Sequence, residues 1–150
     1  MRTRRNALQR EAADCLPTWR GGAERRTANA VKGSPNQTDP AACAAAYREI
    51  VSRAHAGGIR VVGGTITPYG GNGGWTAARV AVRQSANDVT RYGGIFDAVA
   101  DFDAAVRDPV APDRIRPACD SGDHLHFDDG GLQAMADAID LHSPTGKDTR

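Results

Sequence analysis

Residues 119–131 read CDSGDHLHFDDGG, with two histidines and four aspartates in thirteen positions. Three kinds of chemistry fit these residue types. Asp123 and His126 are separated by two residues. On a tight loop this spacing folds the carboxylate onto the imidazole, which fixes one ring proton and leaves the other nitrogen free as a base. Such a base makes an enzyme only when it has a nucleophile to deprotonate. His124 and His126 also form an HxH pair that could bind a metal with Asp120, Asp123 or Cys119, although no distant ligand is evident to close the site. The third reading is a solvated loop whose aspartates cap the next helix. Local sequence leaves all three open.

The elements around this stretch must position it. Leu132, Met135, Ala136 and Ile139 recur at i, i+3, i+4, i+7 and predict a last helix, capped by Asp128 or Asp129. Far upstream, Asp39 is a good N-cap and Pro40 a good first helical residue. Tyr47, Ile50, Val51 and Ala54 then mark one helical face, which Gly57–Gly58 ends. IRVVGGTIT, starting at Ile59, is β-branched and bounded by Gly and Pro, which predicts a buried strand over 59–66. Pro68 to Gly74 form a glycine-rich loop. Residues 75–91 read as a helix with Ala78, Val82 and Val89 inward. FDAVADFD, 96–103, reads as a second strand ending near Asp101, followed by a helical turn over Asp103–Arg107. A Pro- and Asp-rich loop, 108–128, leads to the last helix.

Helix, strand, helix, strand, loop, helix is the order of a parallel α/β sheet with a right-handed crossover. Ligands of such sheets bind beyond the carboxyl ends of the strands. Both strands deliver their polar loops there, TPYGGNGG from the first and the Asp-rich loop from the second.

The chain has 150 residues, of which 40% are apolar and 25% charged, as in a soluble globular domain. No apolar run approaches the roughly 20 residues of a membrane span. Residues 1–32 hold eight Lys/Arg and three Asp/Glu, whereas the whole chain has a net charge of only +1. No apolar stretch follows the first arginines, so no secretory signal is expected and a cytoplasmic location is the default. The basic residues 2–26 contain one aromatic and no reader motif, which argues against nucleic-acid recognition. Cys15, Cys43 and Cys119 are too few and too widely spaced for a disulfide framework or a CxxC knuckle. The expected organisation is a basic, irregular leader over 1–38, with room for a short helix at 6–14. A folded portion follows over 39–142, and a polar tail over 143–150.

DSGDHLHFDDGGLQAMADAIDL resembles the last block of the SGNH, or GDSL, hydrolases, an Asp-x-x-His pair just before the C-terminal helix. The matching residues are Asp123 and His126. The resemblance extends through AYREIVSRAHAGGIRVVGGTITPYGG, AVRQSANDV and FDAVADFDAAVRDP, and so covers about residues 40–141. It implies the C-terminal portion of a flavodoxin-like three-layer α/β/α sandwich with a parallel sheet. It implies ester hydrolysis by Ser-His-Asp chemistry, with His126 as general base, Asp123 as its orienting carboxylate and His124 a neighbour without a catalytic role. The implied substrate is a small-molecule ester, with no metal or other cofactor and no nucleic-acid or membrane partner.

Three departures matter. Phe127 stands where the family commonly has Pro after the catalytic His. No Gly-Asp-Ser motif occurs, and none of Ser34, Ser52, Ser85, Ser121 and Ser143 follows a predicted strand. TANA, 27–30, matches the family's Gly-x-Asn-Asp only at Asn29. The expectation is therefore a truncated hydrolase without its nucleophile block, inactive and marginally stable alone, with a free apolar edge on the strand at 59–66. The alternative is a non-catalytic remnant that binds a partner. Less favoured is a nucleic-acid contact through the basic N-terminus.

Overall fold

The computed structural model describes residues 39–140. The leader, the tail and the helix at 6–14 lie outside them, as do Cys15, Asn29, Ser34 and Ser143.

Helix α1, Pro40–Ala56, begins as expected: Asp39 accepts a hydrogen bond from the Ala41 N–H and Pro40 opens the first turn. Its buried face is Cys43, Ala44, Tyr47 and Val51, packed with Ile95, Val61 and Phe96. The Tyr47 and Phe96 rings lie 5.3 Å apart at 56°, an arrangement that suits the ring quadrupoles. Gly57 caps the end.

Strands β1, Val62–Gly64, and β2, Ala98–Ala100, run parallel, with Val62 opposite Ala98. Both are shorter than expected, because side chains take over the backbone at their ends. In helix α2, Ala77–Tyr92, the Asn87 carboxamide closes on Ile66: its oxygen accepts from the Ile66 N–H at 2.7 Å and its NH2 donates to the Ile66 carbonyl at 2.9 Å. The Asp97 carboxylate takes the Val61 N–H at 2.7 Å. Asp101 leaves the sheet to cap helix α3, Phe102–Val106, one residue earlier than the turn expected at Asp103–Arg107.

The hydrogen bonds fix which edge of β1 is used. The Val61 carbonyl accepts from Asp97 and the Thr65 N–H donates to Ala100. In a parallel ladder alternate residues face opposite edges. Val61, Gly63 and Thr65 therefore face β2, and Val62 and Gly64 direct their backbone groups to the other edge. There Ile66 is closed by Asn87, while no second strand lies beside that edge of Val62 and Gly64 among the described residues. A Cβ on Gly63 would run into the Phe96 ring, so only glycine lets this strand lie over the aromatic core.

Helix α2 differs most from its sequence pattern. Thr76 caps it, but its buried face is Arg83, Ala86, Asn87 and Thr90. Ala78, expected inward, is exposed, and Val82 and Val89 are only half-buried on the flanks. The helix packs Ala86 and Val82 on Ile66 and Val89 on the α1 cluster, and adds polar contacts to the strand ends. Arg83 and Asp103, each with a side chain 2% exposed, form an ion pair at 2.5 Å. Arg91 and Arg107 reach the other Asp103 oxygen at 2.7 and 2.6 Å. Arg91 also binds Asp101 through two nitrogens, and Thr65 donates to Asp101 and accepts from the Asp103 N–H.

The loop from 108 to 128 is built rather than irregular. Arg107 pairs with Ile115 and Asp120 with Phe127 in single antiparallel bridges, and Pro117–Cys119 form one 3-10 turn. Helix α4, Asp129–Asp137, follows, and Asp128 is the residue that caps it. Met135 packs with Val106, Ile115 and Cys119. Leu132 and Ala136, expected inward, are exposed. The short helix meets the 3-10 turn along Gly130, Gly131 and Met135, where Gly130 lies against the Ala118 carbonyl and Gly131 against the Cys119 carbonyl, and Leu132 falls to one side. The architecture is mixed α/β with a small two-stranded parallel sheet. No helix among the described residues is long and apolar enough to cross a membrane.

Candidate functional site

The Asp–His stretch is a closed loop. The Ser121 N–H donates to the His126 carbonyl at 3.1 Å and the Asp128 N–H to the Cys119 carbonyl at 3.2 Å, so its two ends are tied beside the start of α4. Gly122 provides the turn with φ +100°. Phe127, in the place where the resemblance expects proline, is half-buried against the Val106 cluster and bridged to Asp120. An apolar anchor here fixes the residue after His126, as the fixed φ of a proline ring would.

Inside the loop Asp123 folds back as its spacing predicts. Its Oδ1 accepts from the N–H groups of Leu125 and His126 at 2.9 and 2.8 Å and from the Ser121 hydroxyl at 3.2 Å. Its Oδ2 meets His126 Nδ1 at 2.5 Å. The His126 N–H, then its ring, hold the Asp123 carboxyl well below the usual carboxylate range. An ionised carboxylate only accepts, so His126 Nδ1 is the donor in this contact, and the tautomer of the neutral ring that fits it has its lone pair on Nε2. The His126 side chain is 70% exposed, and this nitrogen is open to an incoming hydroxyl.

A second pair was not legible as such. Asp120 Oδ2 meets His124 Nδ1 at 2.6 Å, and its Oδ1 accepts from the N–H groups of Gly122 and His124 at 2.9 and 3.0 Å. Burial would raise the Asp120 carboxyl, but the Gly122 N–H and the His124 ring and N–H outweigh it and the group is lowered. The sequence signal was the i, i+4 spacing of Asp120 and His124. His124 has φ +59°, an uncommon conformation for a side chain of this size. Each histidine thus turns to its own carboxylate, rather than both to a common point. Among the described residues no group of three or more His, Cys, Asp or Glu side chains could hold a metal ion. Cys119 is buried and accepts from Arg116 Nε at 2.9 Å.

The glycine-rich loop after β1 borders this site. The Asn72 NH2 donates to the Asp123 carbonyl at 3.0 Å across 51 positions of sequence, and the Asn72 oxygen accepts from the Gly74 N–H at 3.2 Å. Gly71, with φ +98°, lies against the His124 ring, and a Cβ there would stand 2.9 Å from its Cδ2. Both loops therefore meet at the carboxyl ends of the strands.

No described serine faces His126. Ser52 and Ser85 sit exposed on α1 and α2. The Ser121 hydroxyl touches the Asp123 carboxylate and its N–H the His126 carbonyl, and neither reaches the His126 ring. Among the described residues His126 Nε2 has no hydroxyl partner. No protein-family model matches this chain, and no curated protein matches it.

Proposed function

We propose that the chain carries the His–Asp half of an ester hydrolase of the SGNH type, with the nucleophilic serine supplied by a segment other than residues 39–140. The observation that carries this is the Asp123–His126 pair: the Asp123 carboxylate 2.5 Å from His126 Nδ1, and a His126 side chain 70% exposed, on a loop tied by Asn72 to the loop after β1. In that role Nε2 removes the serine proton as the hydroxyl attacks the ester carbonyl. Asp123 stabilises the imidazolium that forms, and Nε2–H then protonates the departing alkoxide. The oxyanion needs further N–H donors, which the same supplied segment would bring. Alone, the chain is expected to give no substantial ester turnover.

The same reading makes β1 and β2 the last two strands of a larger parallel sheet in a flavodoxin-like three-layer sandwich. The edge of β1 away from β2, beside which no strand lies among the described residues, supports it, as does the general need of so small a sheet for further strands or packed helices. The test is complementation. The chain is co-expressed with the N-terminal half of an SGNH hydrolase that carries the Gly-Asp-Ser strand, and p-nitrophenyl acetate hydrolysis is followed. Turnover that requires both halves supports the reading; a purified complex without turnover refutes it. A second reading, a non-catalytic module that binds a partner through the open edge of β1, predicts that silent complex.

A further inference from the structure

We infer that Asn72 is a positioning residue for the Asp123–His126 pair, acting from the loop after β1 through the backbone of Asp123. This rests on the reading that His126 is the base, and adds the residue that aims it. The loop 120–127 is short, largely exposed and held at its ends by the Asp120–Phe127 bridge. At its apex Asp123 orders its neighbours: the Leu125 and His126 N–H groups and the His126 ring all bind its carboxylate. Within the loop the Ser121 hydroxyl also holds the Asp123 carboxylate, but only a contact from outside the loop can fix Asp123 relative to the rest of the fold.

The Asn72 donor to the Asp123 carbonyl supplies that contact, and no other hydrogen bond from outside the loop reaches Asp123 among the described residues. Asn72 is well placed for it. Its own N–H donates to the Tyr69 carbonyl and its carbonyl accepts from the Trp75 N–H, so its backbone is pinned on both sides. Its Oδ1 is held by Gly74 N–H, which fixes the carboxamide plane and aims the NH2 outward. Gly71 closes the second contact by leaving room for the His124 ring. A carboxamide is the right group: Nδ2 donates to Asp123 while Oδ1 accepts within its own turn, and neither function adds charge beside a carboxylate.

The test needs no substrate. Imidazole 15N–1H correlation spectra of the full chain, taken where the rings are neutral, report which nitrogen of His126 carries the proton. Amide hydrogen exchange reports the hold of Asp123 on Leu125 and His126. Asn72→Ala is expected to turn the Nδ1–H signature of His126 into a mixture of tautomers and to speed exchange of both amides roughly fivefold, the factor for one modest hydrogen bond. Gly63 and Ala100 in the sheet should exchange as before. Asn72→Asp keeps the acceptor for Gly74 but loses the donor, and should behave like Asn72→Ala. It carries the test if the alanine variant loosens the sheet. An unchanged His126 tautomer and unchanged exchange in either folded variant would overturn the inference. A chain that shows the expected changes yet never hydrolyses esters in complementation would sink the hydrolase reading and leave the role of Asn72 standing.

Discussion

Removing the Asp103 carboxylate should be the most damaging single change to this fold. Asp103 and Arg83 are both buried, with side chains 2% exposed. Asp103 Oδ1 binds Arg83, and Oδ2 binds Arg91 and Arg107. Asp103→Ala leaves the Arg83 guanidinium buried with only backbone carbonyls of Ile66 and Pro112 as partners. Breaking a buried pair in this way costs about 3–5 kcal/mol. Arg83→Met should cost less, about 1–3 kcal/mol, since Asp103 keeps two arginines and only one oxygen loses its donor. Arg83 Nε already lacks a partner among the described residues, which lowers the worth of that arginine further. A domain of this size has about 5–15 kcal/mol in all, so Asp103→Ala should lose a large share of it and unfold at a clearly lower temperature than the parent. Urea unfolding followed by circular dichroism measures both variants. A loss below about 1 kcal/mol for Asp103→Ala, or a larger loss for Arg83→Met, would refute the reasoning, since surface-like pairs contribute only that little.

Two more outcomes follow from the strand ends. Asn87→Ala removes both bonds to Ile66 and leaves its buried N–H unpaired, while its carbonyl keeps the Arg83 donor at 3.2 Å, so it should cost about 1–3 kcal/mol in the same assay. Asp101 gives a pH effect: burial would raise its carboxyl, but the Arg91 guanidinium, the Ala104 N–H and the Thr65 hydroxyl hold it down from 3.8 to about 2. Its folded pKa is depressed, so its stabilisation is complete above the unfolded value and is lost as pH falls through the folded one. After discounting for its partial exposure this is about 1–2 kcal/mol. Asp101→Asn should flatten the acid limb of stability between about pH 4 and pH 2, measured as thermal midpoints across that range.

The legible parts of this fold were those written in local code. Asp39–Pro40 and the Tyr47–Val51 stripe announced α1 because capping and amphipathic burial are both local there. The Asp123–His126 pair was legible for the same reason: three residues of loop bring its atoms together. Helix α2 was legible as a helix, but its inner face was not, because Arg83 and Asn87 on it bind Asp103 and Ile66, 20 and 21 positions away, and Thr90 donates to the Ala86 carbonyl of its own helix. Periodicity counts apolar residues and cannot see a face buried through hydrogen bonds. The strands came out short for a related reason, since Asn87 and Asp97 replace a neighbouring strand at their ends. Leu132 shows the opposite failure: it fits a helical stripe, but α4 has too small a contact to bury it. Asn72 is 51 positions from Asp123, and nothing local marks it.

The central claim is that His126, oriented by Asp123, is a catalytic base, and His124 is not. The most direct measurement is kcat/KM for p-nitrophenyl acetate in the complemented protein, comparing His126→Ala with His124→Ala. The account predicts a loss of at least about a thousandfold for His126→Ala, the scale on which removing a triad member acts, and less than about tenfold for His124→Ala. Equal losses for the two, or a His126→Ala protein that keeps its turnover, would contradict it.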